Sequence, residues 1–182
     1  FDELLAVHRA ARQAVPSVRL LLTLGAHIMS AADMEKLDAV TDGWVLWSHG
    51  YFHNADHLKL LDKMKAQKKY VAHYTCDTSM RSPLDRNYRR NAWFGEYHKL
   101  GGNDLFWFSD CYGDFGASDF LVTTEGGLVY RAYDEFLPSI RYMAQRQGMT
   151  DVKYLKKLRE ALPDDPEVQA FLADAARRVV VD

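Results

Sequence analysis

The stretch Asp42-Gly43-Trp44-Val45-Leu46-Trp47-Ser48-His49-Gly50-Tyr51 decides the fold. A turn dipeptide, an apolar run too short for a helix and a polar, aromatic tail follow one another, as they do where a buried strand hands its end to a loop. Working outward, residues 31–40 before this stretch and 56–67 after it carry helical periodicity. Three more apolar runs repeat the pattern: Val18-Arg19-Leu20-Leu21-Leu22-Thr23-Leu24, Tyr70-Val71-Ala72-His73-Tyr74 and Leu105-Phe106-Trp107-Phe108. Leu4, Leu5, His8 and Ala11 stand at helical spacing before Pro16-Ser17, and residues 89–100 predict a helix stopped by Gly101-Gly102. Short apolar strands alternating with helices predict parallel βα units with both sheet faces covered. A small doubly wound sheet fits this periodicity, and so does half of a (β/α)8 barrel, which needs about 250 residues in full.

The 182 residues are enough for one core, and they carry a net charge of −2 with acids and bases interspersed. No electrostatic footprint for nucleic acid is present. Apolar runs such as Leu20-Leu21-Leu22 are too short to span a membrane. Cys76 and Cys111 have neither disulfide-framework nor metal-ligand spacing. Phe1 is not an initiator residue, so the chain is expected to be the C-terminal portion of a longer polypeptide whose missing N-terminal half completes the barrel.

Residues 111–127 are rich in Gly, Asp and aromatics and predict a long loop over the sheet mouth. Helices follow. Pro138 suits a first helical turn, Ile140, Met143 and Ala144 keep the spacing, and Gly148 is expected to end that helix. Thr150 is the expected N-cap of residues 151–162, with Tyr154, Leu155, Leu158 and Leu162 in one stripe. The last helix begins at Asp165-Pro166 and is expected to turn Val168, Phe171, Leu172 and Ala175 inward. The domain division is residues 1–147 as barrel and 148–182 as closing helices.

A barrel keeps its active site at the C-terminal ends of its strands. The residues there are Asp2-Glu3, His27, Trp47, His49, Tyr51, Tyr74, Trp107 and Asp110. An acidic pair ringed by polar and aromatic side chains is what glycoside hydrolysis requires, one carboxylic acid to protonate the leaving oxygen and another group to stabilise the oxocarbenium-like centre. Asp2 and Glu3 are therefore the catalytic candidates and the other seven the substrate-binding ones. The bland reading of an Asp-Glu dipeptide is a solvated helix start, where both carboxylates favour the positive end of the dipole. Of the four tryptophans, Trp44, Trp47, Trp93 and Trp107, each is a candidate sugar platform and equally a core residue. His49, His53 and His57 recur every four residues, but Gly50 and Asn54 interrupt a helix through them and no H-E-x-x-H pattern is present. No metal and no cofactor is expected. His53 and His57 are expected on a loop or helix surface, and Lys63, Lys65, Lys68 and Lys69 on a solvated face.

Two stretches carry a resemblance. One runs from Tyr74-Thr75-Cys76 through Asn87-Tyr88 and Arg90-Asn91-Ala92-Trp93 to Asp104-Leu105-Phe106-Trp107-Phe108-Ser109. The other reads S-x-R-x-x-x-x-R-x-G-x-x-D-x-x-Y-L from Ser139 to Leu155. Together they resemble the C-terminal part of the catalytic domain of glycoside hydrolase family 123, where an R-x-x-x-W helix precedes that last signature. The resemblance implies a (β/α)8 barrel acting on N-acetyl-β-galactosaminides by substrate-assisted, retaining hydrolysis. It also implies a tandem Asp-Glu after the fourth strand. Carried over, Asp2 stabilises the acetamido nitrogen and Glu3 is the acid/base. The second reading is a carbohydrate-binding or scaffolding protein that keeps the barrel without turnover, and a third is a stable half that pairs with itself or with another half-barrel through its exposed first strand.

Overall fold

The computed structural model describes residues 1–25, 28–75, 83–105, 128–131 and 134–181. His27, Trp107, Asp110 and the loop expected over 111–127 lie outside the described residues. The chain divides into two compact units, one of residues 1–74 with 100–104, the other of residues 75–99 with 105–182. The boundary expected at 147/148 falls inside a continuous helix.

The first unit is built on a sheet of strands β1 (Leu21–Leu24), β2 (Gly43–Trp47), β3 (Tyr70–Thr75) and β4 (Gly102–Leu105), in the order β1-β2-β3-β4. β1 pairs parallel with β2, and β2 parallel with β3, Leu22 standing beside Trp44 and Trp44 beside Val71. Helix α2 (Ala31–Asp38) joins β1 to β2, while α3 (Ser48–Tyr51) and α4 (Ala55–Ala66) join β2 to β3. Each of the longer helices starts on a side-chain cap, Ser30 for α2 and Asn54 for α4, whose oxygens accept orphan backbone N–H groups. Asn54 is thus what breaks the histidine periodicity. The core lies between β2, β3 and these helices: Trp44, Leu46 and Ala72 are fully buried with Met34, Leu37 and Met64. Trp44 donates through Nε1 to Asp38 at the end of α2, 3.1 Å away, which settles it as a core residue. Val45 and Trp47, the alternate residues of β2, are only half-buried.

Helix α1 (Asp2–Ala14) has an apolar face but no buried residue, and Val7, Val15, Val18 and Leu21 are exposed. Its last turn is tied down: Arg12 donates to the Asp42 carboxylate at 2.5 Å, and Asp42 also accepts the Leu20 backbone N–H at 2.7 Å. Of the expected solvated lysines, Lys63 and Lys68 are exposed and Lys65 and Lys69 half-buried, and three of them also make ion pairs, Lys63 with Glu35, Lys65 with Asp62 and Lys69 with Asp38.

The second unit is helical. A turn of π-helix (Asp85–Arg89) runs directly into α5 (Arg90–Tyr97), and a short antiparallel hairpin, β5 (Val129–Arg131) with β6 (Phe136–Pro138), leads to α6 (Ile140–Ala161) and α7 (Pro166–Val181). Pro138 belongs to β6, and Ser139 is the cap of α6, accepting from the Tyr142 N–H. The expected stop at Gly148 is corrected: α6 passes straight through it, and Thr150 caps nothing but bonds back to the Arg146 carbonyl. Gly148 is needed for a different reason, since a Cβ there would run into the Arg89 carbonyl oxygen and stand 2.8 Å from its carbon. The stripe expected on α6 is corrected too, Tyr154 and Leu162 being exposed. On α7 Leu172 is buried as expected, together with Ala176 and Val180, and Val168 and Ala175 are half-buried, but Phe171 stands outside at 57% exposure.

Candidate functional site

Within the first unit, the ends of β1, β2 and β3 gather polar and aromatic groups. Ser48, the first residue after β2, is buried and donates through Oγ to the Tyr74 carbonyl of β3 at 2.6 Å. Tyr74 is itself buried, and its hydroxyl reaches the end of β1 so closely that a Cβ on Gly25 would stand 2.9 Å from it. Trp47 lies half-buried with its ring 5.8 Å from that of the exposed His49. Its Nε1 is shut off from solvent and has no hydrogen-bond acceptor among the described residues. An orphaned buried donor is rare enough to call for a partner. Gly50 permits the tight turn of α3 here, since a Cβ would come within 3.0 Å of the Trp47 ring and 3.1 Å of Ile28.

Tyr51 does not belong to the accessible part of this cluster. It is fully enclosed, and its hydroxyl accepts the Met29 N–H at 2.9 Å, while Nε2 of buried His57 donates to the Met29 carbonyl at 2.9 Å. The two rings meet edge to face at 5.2 Å. Burial pushes the Tyr51 hydroxyl above its ordinary value, more than the Met29 bond pulls it down, so it stays a neutral phenol. Together Tyr51 and His57 clamp both sides of Met29, just before the Ser30 cap, and so fix the chain leaving β1. His57 is thus inside the unit and not on a helix surface. No sequence spacing announces this clamp, because its two rings come from different helices and its third member is backbone.

Asp2 and Glu3 occupy the first turn of α1, both exposed. This is a helix start and not a strand end among the described residues, and the positive end of the helix dipole accounts for two carboxylates there. Their surroundings are α2: Lys36 lies 5.2 Å from the Phe1 ring centroid and within electrostatic reach of Asp2. Asp33 is held below the usual carboxylate range chiefly by its bond from Lys36. Among the described residues no cluster of His, Cys, Asp or Glu could hold a metal ion.

In the second unit the motif residues converge on Asp151. Its carboxylate accepts from Arg89 Nε at 2.7 Å, Trp93 Nε1 at 3.2 Å and Gln147 Nε2 at 3.1 Å. Burial works to raise this carboxyl, but the three donors outweigh it and hold it below the usual range. The R-x-x-x-W pair and the D of the longer signature, distant in sequence, are therefore one contact that locks α6 to the π-turn and α5. Gly148, one turn before Asp151, makes the close approach possible.

No family model matches this chain, and no curated protein matches it. Among solved structures it is similar in fold to a family 123 glycoside hydrolase from Clostridium perfringens, described in a study of glycolipid glycan hydrolysis. The TM-score is 0.60 at 12% identity, over 91% of this chain and 32% of that one. The chain thus spans about a third of the length of that structure.

Proposed function

We propose that this chain is part of a glycoside hydrolase-like protein that acts on N-acetyl-β-hexosaminides. The observation that carries the reading is the fold likeness over nine-tenths of the chain to a family 123 glycoside hydrolase. The strand order supports it: β1-β2-β3-β4 runs sequentially, with no reversal point among the described strands, as in one arc of a (β/α)8 barrel and unlike a doubly wound sheet. In this reading further strands pair with the open edge of β1, where Val18 and Leu21 are exposed. Trp47, half-buried at the end of β2 with His49 beside it, offers an aromatic face to a sugar. Glu3 is the acid/base and Asp2 the group that orients the 2-acetamido nucleophile, a substrate-assisted exception to the two-carboxylate scheme.

The test is turnover of an aryl N-acetyl-β-galactosaminide by the full protein and by Glu3→Gln, with circular dichroism as the control for folding. Loss of roughly a hundredfold or more is expected for removal of a general acid. An unchanged rate removes Glu3 from the mechanism. The exposure of Glu3 in a helical first turn favours a second reading, a carbohydrate-binding protein without turnover. Calorimetric glycan binding with no product after prolonged incubation would select it.

A further inference from the structure

The π-turn, α5, α6 and α7 line an open cavity of about 430 Å³ within the second unit. Arg86, Arg89 and Arg90 give it three guanidinium groups, and among the described residues two carboxylates, Asp85 and Asp151, line it with them. Asp151 is already engaged by Arg89, Trp93 and Gln147. Arg90 is half-buried, and no carboxylate among the described residues pairs with it. Burial first, and the neighbouring Arg86 charge second, pull it below its ordinary value, yet a guanidinium keeps its proton at any ordinary pH. A half-buried positive charge therefore lines the cavity with no carboxylate among the described residues paired to it. The remaining wall is the indole of Trp93 and the side chain of Val179.

We propose that this cavity binds the oxyanion of a compact, sugar-sized ligand, a carboxylate or a sulfate or phosphate ester, with Arg90 and Arg86 on the anion and Trp93 and Val179 against its body. Guanidinium forks match these planar or tetrahedral oxyanions through paired N–H donors. The volume lies within the range of about 300 to 1,000 Å³ typical of small-molecule sites. An anion also offsets the cost of keeping Arg90 charged and half-buried. The site uses none of the residues assigned to glycosidic chemistry, so it holds whether or not the chain turns over a glycan.

The Trp93 indole N–H resonance, assigned with Trp93→Phe, reports occupancy in the intact chain as glucose 6-phosphate, glucuronate, inorganic phosphate or glucose is added. Saturable movement is expected with both anionic sugars at millimolar levels, weaker movement with inorganic phosphate and none with glucose. Arg90→Gln and Arg86→Gln are each expected to weaken binding roughly tenfold. Arg86 is exposed, so its variant decides the matter should Arg90→Gln fail to fold. No saturable movement with either anionic sugar, or parental affinity in a folded variant, overturns the proposal. Inorganic phosphate binding as tightly as glucose 6-phosphate removes the sugar-sized body from it.

Discussion

The sheet unit and the helical unit spend their polar residues differently. In the sheet unit the buried polar groups next to the strand ends hold backbone in place: Ser48 ties β2 to β3, and Tyr51 with His57 grips Met29, while the Trp47 indole Nε1 stays buried without an acceptor among the described residues. In the helical unit three residues of the most specific sequence signature serve packing, Ser139 capping α6, Gly148 admitting the Arg89 carbonyl and Asp151 collecting three donors. The difference teaches which inference a motif licenses. Residues that join helices transfer a fold from one protein to another; by themselves they transfer no chemistry, because their polar groups are already spent on the neighbouring helix.

The contrast breaks most visibly at Gly148. Alanine gains about 1 kcal/mol of helix propensity over glycine, but its methyl must enter space held by a backbone carbonyl of the π-turn. A backbone group shifts only with the whole turn, so overpacking wins. Gly148→Ala is expected to destabilise α5 and α6 by about 3 kcal/mol. Amide hydrogen exchange in those helices, compared with that in β2 and β3, reads it directly. A variant as stable as the parent, or more so, would mean that α6 can back away and that the glycine is incidental.

Asp151→Ala removes the next largest share, about 2 kcal/mol, since it leaves Arg89 and the half-buried Trp93 indole without an acceptor. Its pH dependence sharpens the point. The folded carboxyl sits below its unfolded value near 4, so its contribution is fully present above that pH and fades as pH falls through the folded value. Urea unfolding of parent and variant should therefore differ at pH 7 and converge in acid. A difference that persists in acid would assign the loss to packing instead of charge.

Much of this architecture was legible because β2 and β3 are short, apolar and punctuated: Asp42-Gly43 and Ser48 bracket one, and its residues bury as the periodicity implies. Gly148 is ambiguous in sequence because glycine serves equally as a helix stop and as a close-approach residue, and only the partner element tells them apart. Pro138 was misplaced by two residues for a related reason, since its fixed φ suits a strand edge as well as a first turn. At the site, Trp47 and Tyr74 fell at strand ends as their runs suggest, whereas Tyr51 followed a helical turn that folds its ring inward. Asp2-Glu3 shows the limit most plainly. A dipeptide of two acids carries no period, and the dipole of α1 explains it without any reference to a cleft.

The smallest expected effect tests whether the sheet unit, too, rests on a single carboxylate. Asp42 lies below the usual range chiefly because the Leu20 N–H donates to it, with burial opposing and Arg12 assisting. Its side chain is 34% exposed, so the ion pair with Arg12 is screened and worth a fraction of its geometric promise. The backbone bond should dominate. Asp42→Asn keeps an acceptor for Leu20 and is expected to cost only about 0.5 kcal/mol, as is Arg12→Ala, while Asp42→Ala costs about 1 to 1.5 kcal/mol by orphaning the Leu20 amide at the entry to β1. Because the folded carboxyl is depressed, the cost of Asp42→Asn should vanish as pH falls below the folded value, whereas the cost of Asp42→Ala should persist there in part, since a protonated carboxyl still accepts an N–H. Equal costs for Arg12→Ala and Asp42→Ala would reverse that order. The tie between α1 and the sheet would then be electrostatic, and α1, with no buried residue, would loosen from β1 as salt is raised.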